Sequence, residues 1–247
     1  MSINYAWFSP DWDRPTNITA YVSTRLNNSG YAAADEPYSE NNIALHVDDD
    51  PEYVLHNRSM LPFSARLCWL KQTHSNTCVT LPYLSDTADA SVSRSKQHWC
   101  AVMTADCVPV LITNKEGTEV AAIHAGWKGL SNGVIKNTLQ SMDSKPEECL
   151  AWIGPAICKN CFEVEADFSE KFSAWPHTIE KNSVGKAFID LPEITRCQLH
   201  AFGLTRVTLS NLCTYENESL FFSHRRAQHQ GLLATGRMVS VIGINSR

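Results

Sequence analysis

Apolar positions change their period several times along this 247-residue chain, and each change marks an element. Val54, Leu55, Arg58 and Leu61 recur at helical spacing behind Asp48, Asp49, Asp50 and Pro51, which predicts a helix starting at Pro51. Short, mostly apolar runs at 67–70, 78–81, 100–103, 108–113, 119–125, 150–153 and 238–244 predict strands. Pro109 inside one of these runs argues for a break or an edge. Residues 114–117 (Asn-Lys-Glu-Gly) read as a turn. Leu130, Val134, Ile135, Leu139 and Met142 predict a helix just past the turn Gly126-Trp127-Lys128-Gly129, and 162–172 and 194–202 predict two more. The polar stretch 27–42 and residues 88–95 read as loops, and a basic turn precedes the last strand. There is no internal repeat and no low-complexity segment. Strands and helices interleave, and strand-to-strand turns also occur. The expectation is an α/β (α+β) fold, with mixed β-sheets packed together and flanked by helices, and the length fits one large domain or two small ones.

Composition narrows the function classes. Apolar residues are 43% and charged residues 19%, as in an ordinary globular protein. A net charge of −5 argues against a general nucleic-acid binder, although a local basic cluster suffices for one phosphate. The polar N-terminus lacks the apolar core of a signal peptide, and no apolar run is long enough to span a bilayer. Nine cysteines at irregular spacing fit reduced thiols in a cytoplasmic protein, most of them small buried apolar residues.

Three segments end apolar runs on metal-binding side chains: Lys71-Gln72-Thr73-His74, Thr104-Ala105-Asp106-Cys107 and His124-Ala125-Gly126-Trp127. One thiol and two imidazoles are the donor set of a zinc site with three protein ligands and an open position. The same residues also fit a Cys107 nucleophile with His74 or His124 as its base. Clustered coppers require many imidazoles from paired positions, and the chain has no His-x-His pair. Copper remains an alternative metal for one Cys/His/His set, because it outcompetes zinc for such ligands. Ser223-His224-Arg225-Arg226, with Arg237 nearby, is a phosphate-binding candidate that Arg58 and Lys71 could join. Asp106 and Glu163 are candidate general acids or bases; Asp89, Asp190 and Glu165 are weaker ones. Cys158-Lys159-Asn160-Cys161 is a C-x-x-C that fits half a zinc site or a redox pair, but with no second copy and no thioredoxin-like context it is read as carrying neither.

The runs 41–47 (Asn-Asn-Ile-Ala-Leu-His-Val), Gln72-Thr73-His74, Ala88-Asp89-Ala90, 103–110, 122–127, 153–157 and Cys213-Thr214-Tyr215 through 222–226 to Gly236-Arg237-Met238 resemble the bacterial YfiH/YlmD family, also called the laccase-domain or polyphenol oxidase family. They occur in the family's order over nearly the whole chain, and the resemblance implies a single domain over residues 1–247. The resemblance implies zinc on His74, Cys107 and His124. It also implies phosphorolysis of adenosine, inosine, guanosine and methylthioadenosine, with deamination of adenosine. Purine nucleosides and phosphate are then the partners. Alternatives attached to the family are a peptidoglycan-editing amidase acting on UDP-muramyl amino acid precursors and a copper-dependent polyphenol oxidase. On the phosphorylase reading Arg225 and Arg226, with Arg58 or Lys71, hold phosphate, Asn42 orients ribose or base, and Asp106 or Glu163 protonates the leaving purine. Lys128 stands where the family usually has Arg, Glu165 replaces a usual Gly, and 157–161 also varies.

Overall fold

The computed structural model describes residues 6–27 and 38–246. A five-stranded sheet runs in the order Trp7–Phe8, Ile18–Ser23, Met238–Ile244, Trp99–Thr104 and Leu67–Cys68. A six-stranded sheet runs Arg206–Leu209, Cys149–Ile153, Val108–Asn114, Val120–Ala125, Ala90–Ser93 and Cys78–Thr80. Glu163–Glu165, Lys186–Ile189 and Ile179–Lys181 form a small third sheet. Both large sheets are mixed: Leu67–Cys68 lies parallel to Trp99–Thr104, and Arg206–Leu209 parallel to Cys149–Ile153, among antiparallel neighbours. This is the mixed α/β architecture that the patterning predicts.

The alternation of side chains across each strand builds the layers. Cys100 and Val102 enter the space between the two large sheets, where they meet Leu111, Val120, Ala122 and Ile242. Trp99, Ala101 and Met103 face the other way, onto Tyr21, Ile43, Val47 and Val241. On the far side of the six-stranded sheet, Val110, Ile112, Ala121 and Ile123 pack on the helices Val134–Ser141 and Leu191–Ala201 through Ile135, Leu139, Ile194 and Leu199. The helix Pro51–Ser59 starts where predicted, with Asp50 accepting from the Glu52 N–H. Among the described residues no helix is long and apolar enough to cross a membrane.

Several expectations are corrected. Residues 88–95 contain the strand Ala90–Ser93, buried along its whole length; its serines are small enough for an interior position. Pro109 lies in a central strand, not at an edge or a break. It is tolerated because pairing with Cys149–Ile153 begins only at Val110, and the Pro109 carbonyl still accepts from the Gly154 N–H. The helix expected over 130–142 is two helices, Trp127–Asn132 and Val134–Ser141, divided by Gly133 at φ 87°. Residues 162–172 are a strand, Glu163–Glu165, followed by the 3₁₀ segment Ala166–Phe172. Phe162, Phe168 and Phe172 imitate a helical repeat because they stack on one another and on the core. The basic turn is the helix His224–His229, capped by the Ser223 hydroxyl. Of the expected loop 27–42, residues 28–37 lie outside the described residues, and Ser39–Asn41 is a 3₁₀ turn.

Candidate metal centre and cleft

The three ligand candidates meet at one end of the sandwich. Cys107 sits in the three-residue crossing 105–107, where the chain passes from the five-stranded to the six-stranded sheet. His124 is the last residue but one of the adjacent strand Val120–Ala125 and pairs across from Pro109. His74 comes from the loop between Leu67–Cys68 and Cys78–Thr80. Donor atoms of all three lie within 4.8 Å of one another, with His74 Nε2 3.8 Å from Cys107 Sγ. A thiolate and an imidazole sharing one tetrahedral ion stand about 3.6 Å apart, so the spacing fits a common metal.

Asp89, weighted lightly in the sequence, organises this centre. It immediately precedes the strand Ala90–Ser93 and is fully buried. Its carboxylate accepts from the backbone N–H groups of Thr73, His74 and Ser75, from the Ser75 hydroxyl, and from His124 Nδ1 at 2.8 Å. A carboxylate only accepts, so His124 carries its proton on Nδ1 and keeps the Nε2 lone pair for a metal. Burial pushes the Asp89 carboxyl up, but the hydrogen bonds from His124 and Ser75 outweigh it and hold it at about 2. The same contacts hold His74 at φ 59°, in the left-handed region. Burial would also raise the Cys107 thiol; the His124 and His74 imidazoles reverse this and bring it well below its usual value. His124 is raised in turn, because the Cys107 thiolate and Asp89 oppose the effect of its burial. Gly126 keeps room beside the centre: a Cβ there would lie 2.9 Å from Cys107 Sγ and 3.1 Å from His74 Cδ2.

A cleft of about 330 Å³ opens beside His74 and Cys107. Its lining combines apolar Trp127, Ile157, Phe162 and Leu191 with cationic Lys128 and Arg225 and with His224. Burial lowers the His224 imidazole, and the Arg237 guanidinium adds to it. His46 is lowered by burial and then by Arg237, Arg58, His124 and His74, so positive charge gathers around the centre.

Residues 19–245 match the family model described as multi-copper polyphenol oxidoreductase laccase. The chain belongs to this family. It is 39% identical over 243 residues to "Purine nucleoside phosphorylase YfiH" of Shigella flexneri, covering 94% of this chain and 96% of that one. Its fold matches the crystal structure of Neisseria meningitidis protein NMB0706 with a TM-score of 0.89 at 35% identity, covering 98% and 100% of the two chains. It also matches YlmD from Geobacillus stearothermophilus with a TM-score of 0.86 at 25% identity, covering 100% and 98%.

Against this family background, the structure separates the other candidates. Arg225 borders the cleft, with its guanidinium 5.2 Å from the Phe162 ring centre and one N–H bound to the Glu163 carbonyl. Arg226 does not reach the cleft: it is buried and donates to the carbonyls of Thr214, Tyr215 and Phe221. Asp106 lies beside Cys107, but its carboxylate accepts from the Thr214 hydroxyl and the Arg225 N–H, each at 2.6 Å. These contacts hold Asp106 at φ 82° and dock the helix His224–His229. Asn42 is fully buried; its side chain bonds Asp49, Ala44 and the Arg237 N–H. Arg58 stacks on Trp69 at 3.8 Å and donates to the Ile43 carbonyl, and burial lowers its guanidinium to about 10. Lys71 is exposed and forms a bridge with Thr87. Glu163 offers its carbonyl to Arg225 and its side chain is exposed. Lys128 joins the charged surroundings, and His46 and His224 join them as imidazoles lowered toward the neutral form; only the quoted motifs around them signalled this in the sequence.

Proposed function

We propose that this chain is a zinc-dependent purine nucleoside phosphorylase that also deaminates adenosine. The observation that supports it best is a two-imidazole, one-thiolate donor set opening onto a cleft lined by both apolar and cationic side chains. Its volume lies at the lower end of the roughly 300–1,000 Å³ usual for small-ligand sites. His74, Cys107 and His124 would hold the metal, which would supply a Lewis acid at the cleft floor. The apolar lining residues Trp127, Ile157, Phe162 and Leu191 suit the faces of a purine. Arg225 and Lys128 would hold phosphate, Arg225 through its fork and Lys128 as a point charge. His224, lowered by its surroundings, would be neutral at pH 7 and able to donate or accept a proton at the substrate. Relatives named purine nucleoside phosphorylase cover nearly the whole chain, which supports the same reading. Copper oxidase chemistry is disfavoured by the donors: among the described residues no candidate metal group brings together more than two imidazoles.

The test is incubation of the metal-quantified protein with adenosine, with and without phosphate, and mass-spectrometric analysis of the products. Adenine and ribose-1-phosphate formed only with phosphate, and lost on His74→Ala, are expected. Inosine formed without phosphate would identify the deaminase. A zinc-loaded protein that converts no purine nucleoside would overturn the assignment.

A further inference from the structure

A second group of metal-binding side chains lies outside the cleft. Cys158 precedes the 3₁₀ turn Lys159–Cys161 and Cys161 ends it, and a parallel bridge between Ala156 and Cys213 brings Cys213 and Glu216 beside them. One donor atom from each of the four lies within 4.8 Å of the others. Cys158 Sγ is 3.6 Å from Cys161 Sγ, and Cys161 Sγ is 3.8 Å from Glu216 Oε1. Two thiolates on one tetrahedral zinc ion stand about 3.7 Å apart, and a thiolate and a carboxylate oxygen about 3.6 Å. A disulfide would require the sulfurs to close to about 2.05 Å.

We propose that Cys158, Cys161, Cys213 and Glu216 form a second, structural zinc-class site with four protein ligands. Such a set fills a tetrahedral ion and leaves no open position, unlike the centre at His74, Cys107 and His124. Binding releases the thiol protons to solvent and changes no oxidation state. Three thiols and one carboxylate are the donors. The neighbouring Lys159 amine is directed to Glu180 at 2.6 Å and not to the thiols. A groove of about 350 Å³ bordered by Cys158 and Cys213 provides a way in for the ion. The third group of possible ligands, His177, Glu193 and Cys197, lacks this character because Arg196 already pairs with the Glu193 carboxylate.

The site would clamp two segments that both grip Asp106. Ile157 donates its N–H to the Asp106 carbonyl at 3.0 Å, and Thr214, next to Cys213, donates its hydroxyl to the Asp106 carboxylate. Asp106 precedes the ligand Cys107, so the second ion would stiffen the cleft wall and the backbone beside the first.

The experiment is a metal count by mass spectrometry on the full chain, purified under reducing conditions with zinc. The parent should carry about two zinc ions, and the pair His74→Ala/Cys107→Ser and the pair Cys158→Ser/Cys161→Ser about one each. X-ray absorption of zinc in the first pair should show a shell of mostly sulfur at about 2.3 Å, with one lighter ligand. These two readouts decide the question even if the Cys158→Ser/Cys161→Ser protein does not fold. A folded His74→Ala/Cys107→Ser protein without zinc would overturn the proposal. So would zinc bound there in a shell without sulfur, or a Cys158–Cys161 disulfide in the reduced preparation.

Discussion

Replacing Asp89 by Asn tests whether the metal centre is organised from behind its ligands. Asp89 accepts five hydrogen bonds, three at Oδ2 from the Thr73 N–H, the Ser75 N–H and the Ser75 hydroxyl, and two at Oδ1 from the His74 N–H and His124 Nδ1. Asparagine keeps the shape but has one acceptor oxygen. With that oxygen on the Oδ2 side, three bonds survive and the amide NH₂ faces His124 and the His74 N–H. The reverse orientation keeps two bonds and opposes the NH₂ to the Ser75 N–H, so the first is preferred. His124 must then accept at Nδ1, and its proton moves to Nε2, which removes the lone pair meant for a metal.

Loss of an outer partner of this kind costs about 10–100-fold in metal affinity. The tautomer switch places this variant at the upper end, at about 100-fold or roughly 2.7 kcal/mol. Metal-free stability should fall by about 3 kcal/mol, for one lost charge-assisted bond and one buried N–H facing a donor. Competition against a chromophoric chelator measures the first quantity and urea unfolding the second. A folded Asp89→Asn protein that holds zinc within about threefold of the parent would refute the reasoning.

The acid limb of stability should reflect the same carboxylate. Its folded pKa of about 2 lies below the ordinary 3.8, so its stabilisation is complete above about pH 4 and is lost as pH falls through 2. Urea unfolding across that range should be steeper in the parent than in Asp89→Asn. Gly126→Ala should lower zinc affinity by about tenfold or more, because its Cβ would press on Cys107 and His74; unchanged affinity by chelator competition would contradict the packing. Arg226→Ala should cost about 3 kcal/mol in unfolding free energy, since three carbonyls lose their donor. Arg225→Ala should leave stability within about 1 kcal/mol and instead raise the KM for phosphate; the opposite division would exchange their roles. In metal-free protein, Cys107 alkylation by iodoacetamide should stay fast at neutral pH and fall only in the acid range, because the thiol is lowered; the profile of an ordinary thiol near 9 would argue against the imidazole contacts.

What the sequence disclosed follows from the range of the interactions. The two-residue alternation of Trp99 to Met103 is a local property of a strand between two packed faces, so it could be read without the fold. Ala90–Ser93 could not, because its serines become interior only once neighbouring strands cover them. His74, Cys107 and His124 were legible as residue types at strand ends, but not their meeting. That meeting depends on Asp89 bonding two distant segments, and on the chain changing sheets at 105–107. Arg225 and Arg226 are adjacent and chemically identical, and only the helix His224–His229 separates them: one borders the cleft, the other turns inward to three carbonyls. The C-x-x-C does not read as a zinc or redox site in the sequence, because no second pair follows it. Its remaining donors, Cys213 and Glu216, arrive through one β-bridge from more than 50 residues downstream, a distance that no local spacing rule spans. Both donor groups bear on Asp106: one contains Cys107, its neighbour in the chain, and the other lies beside Ile157 and Thr214, which bond to it. Asp106 adopts a backbone conformation that non-glycine residues seldom adopt, and such conformations persist where the surroundings over-determine them. Its tight bonding therefore suits a residue that fixes the position of a ligand better than one that passes a proton to substrate.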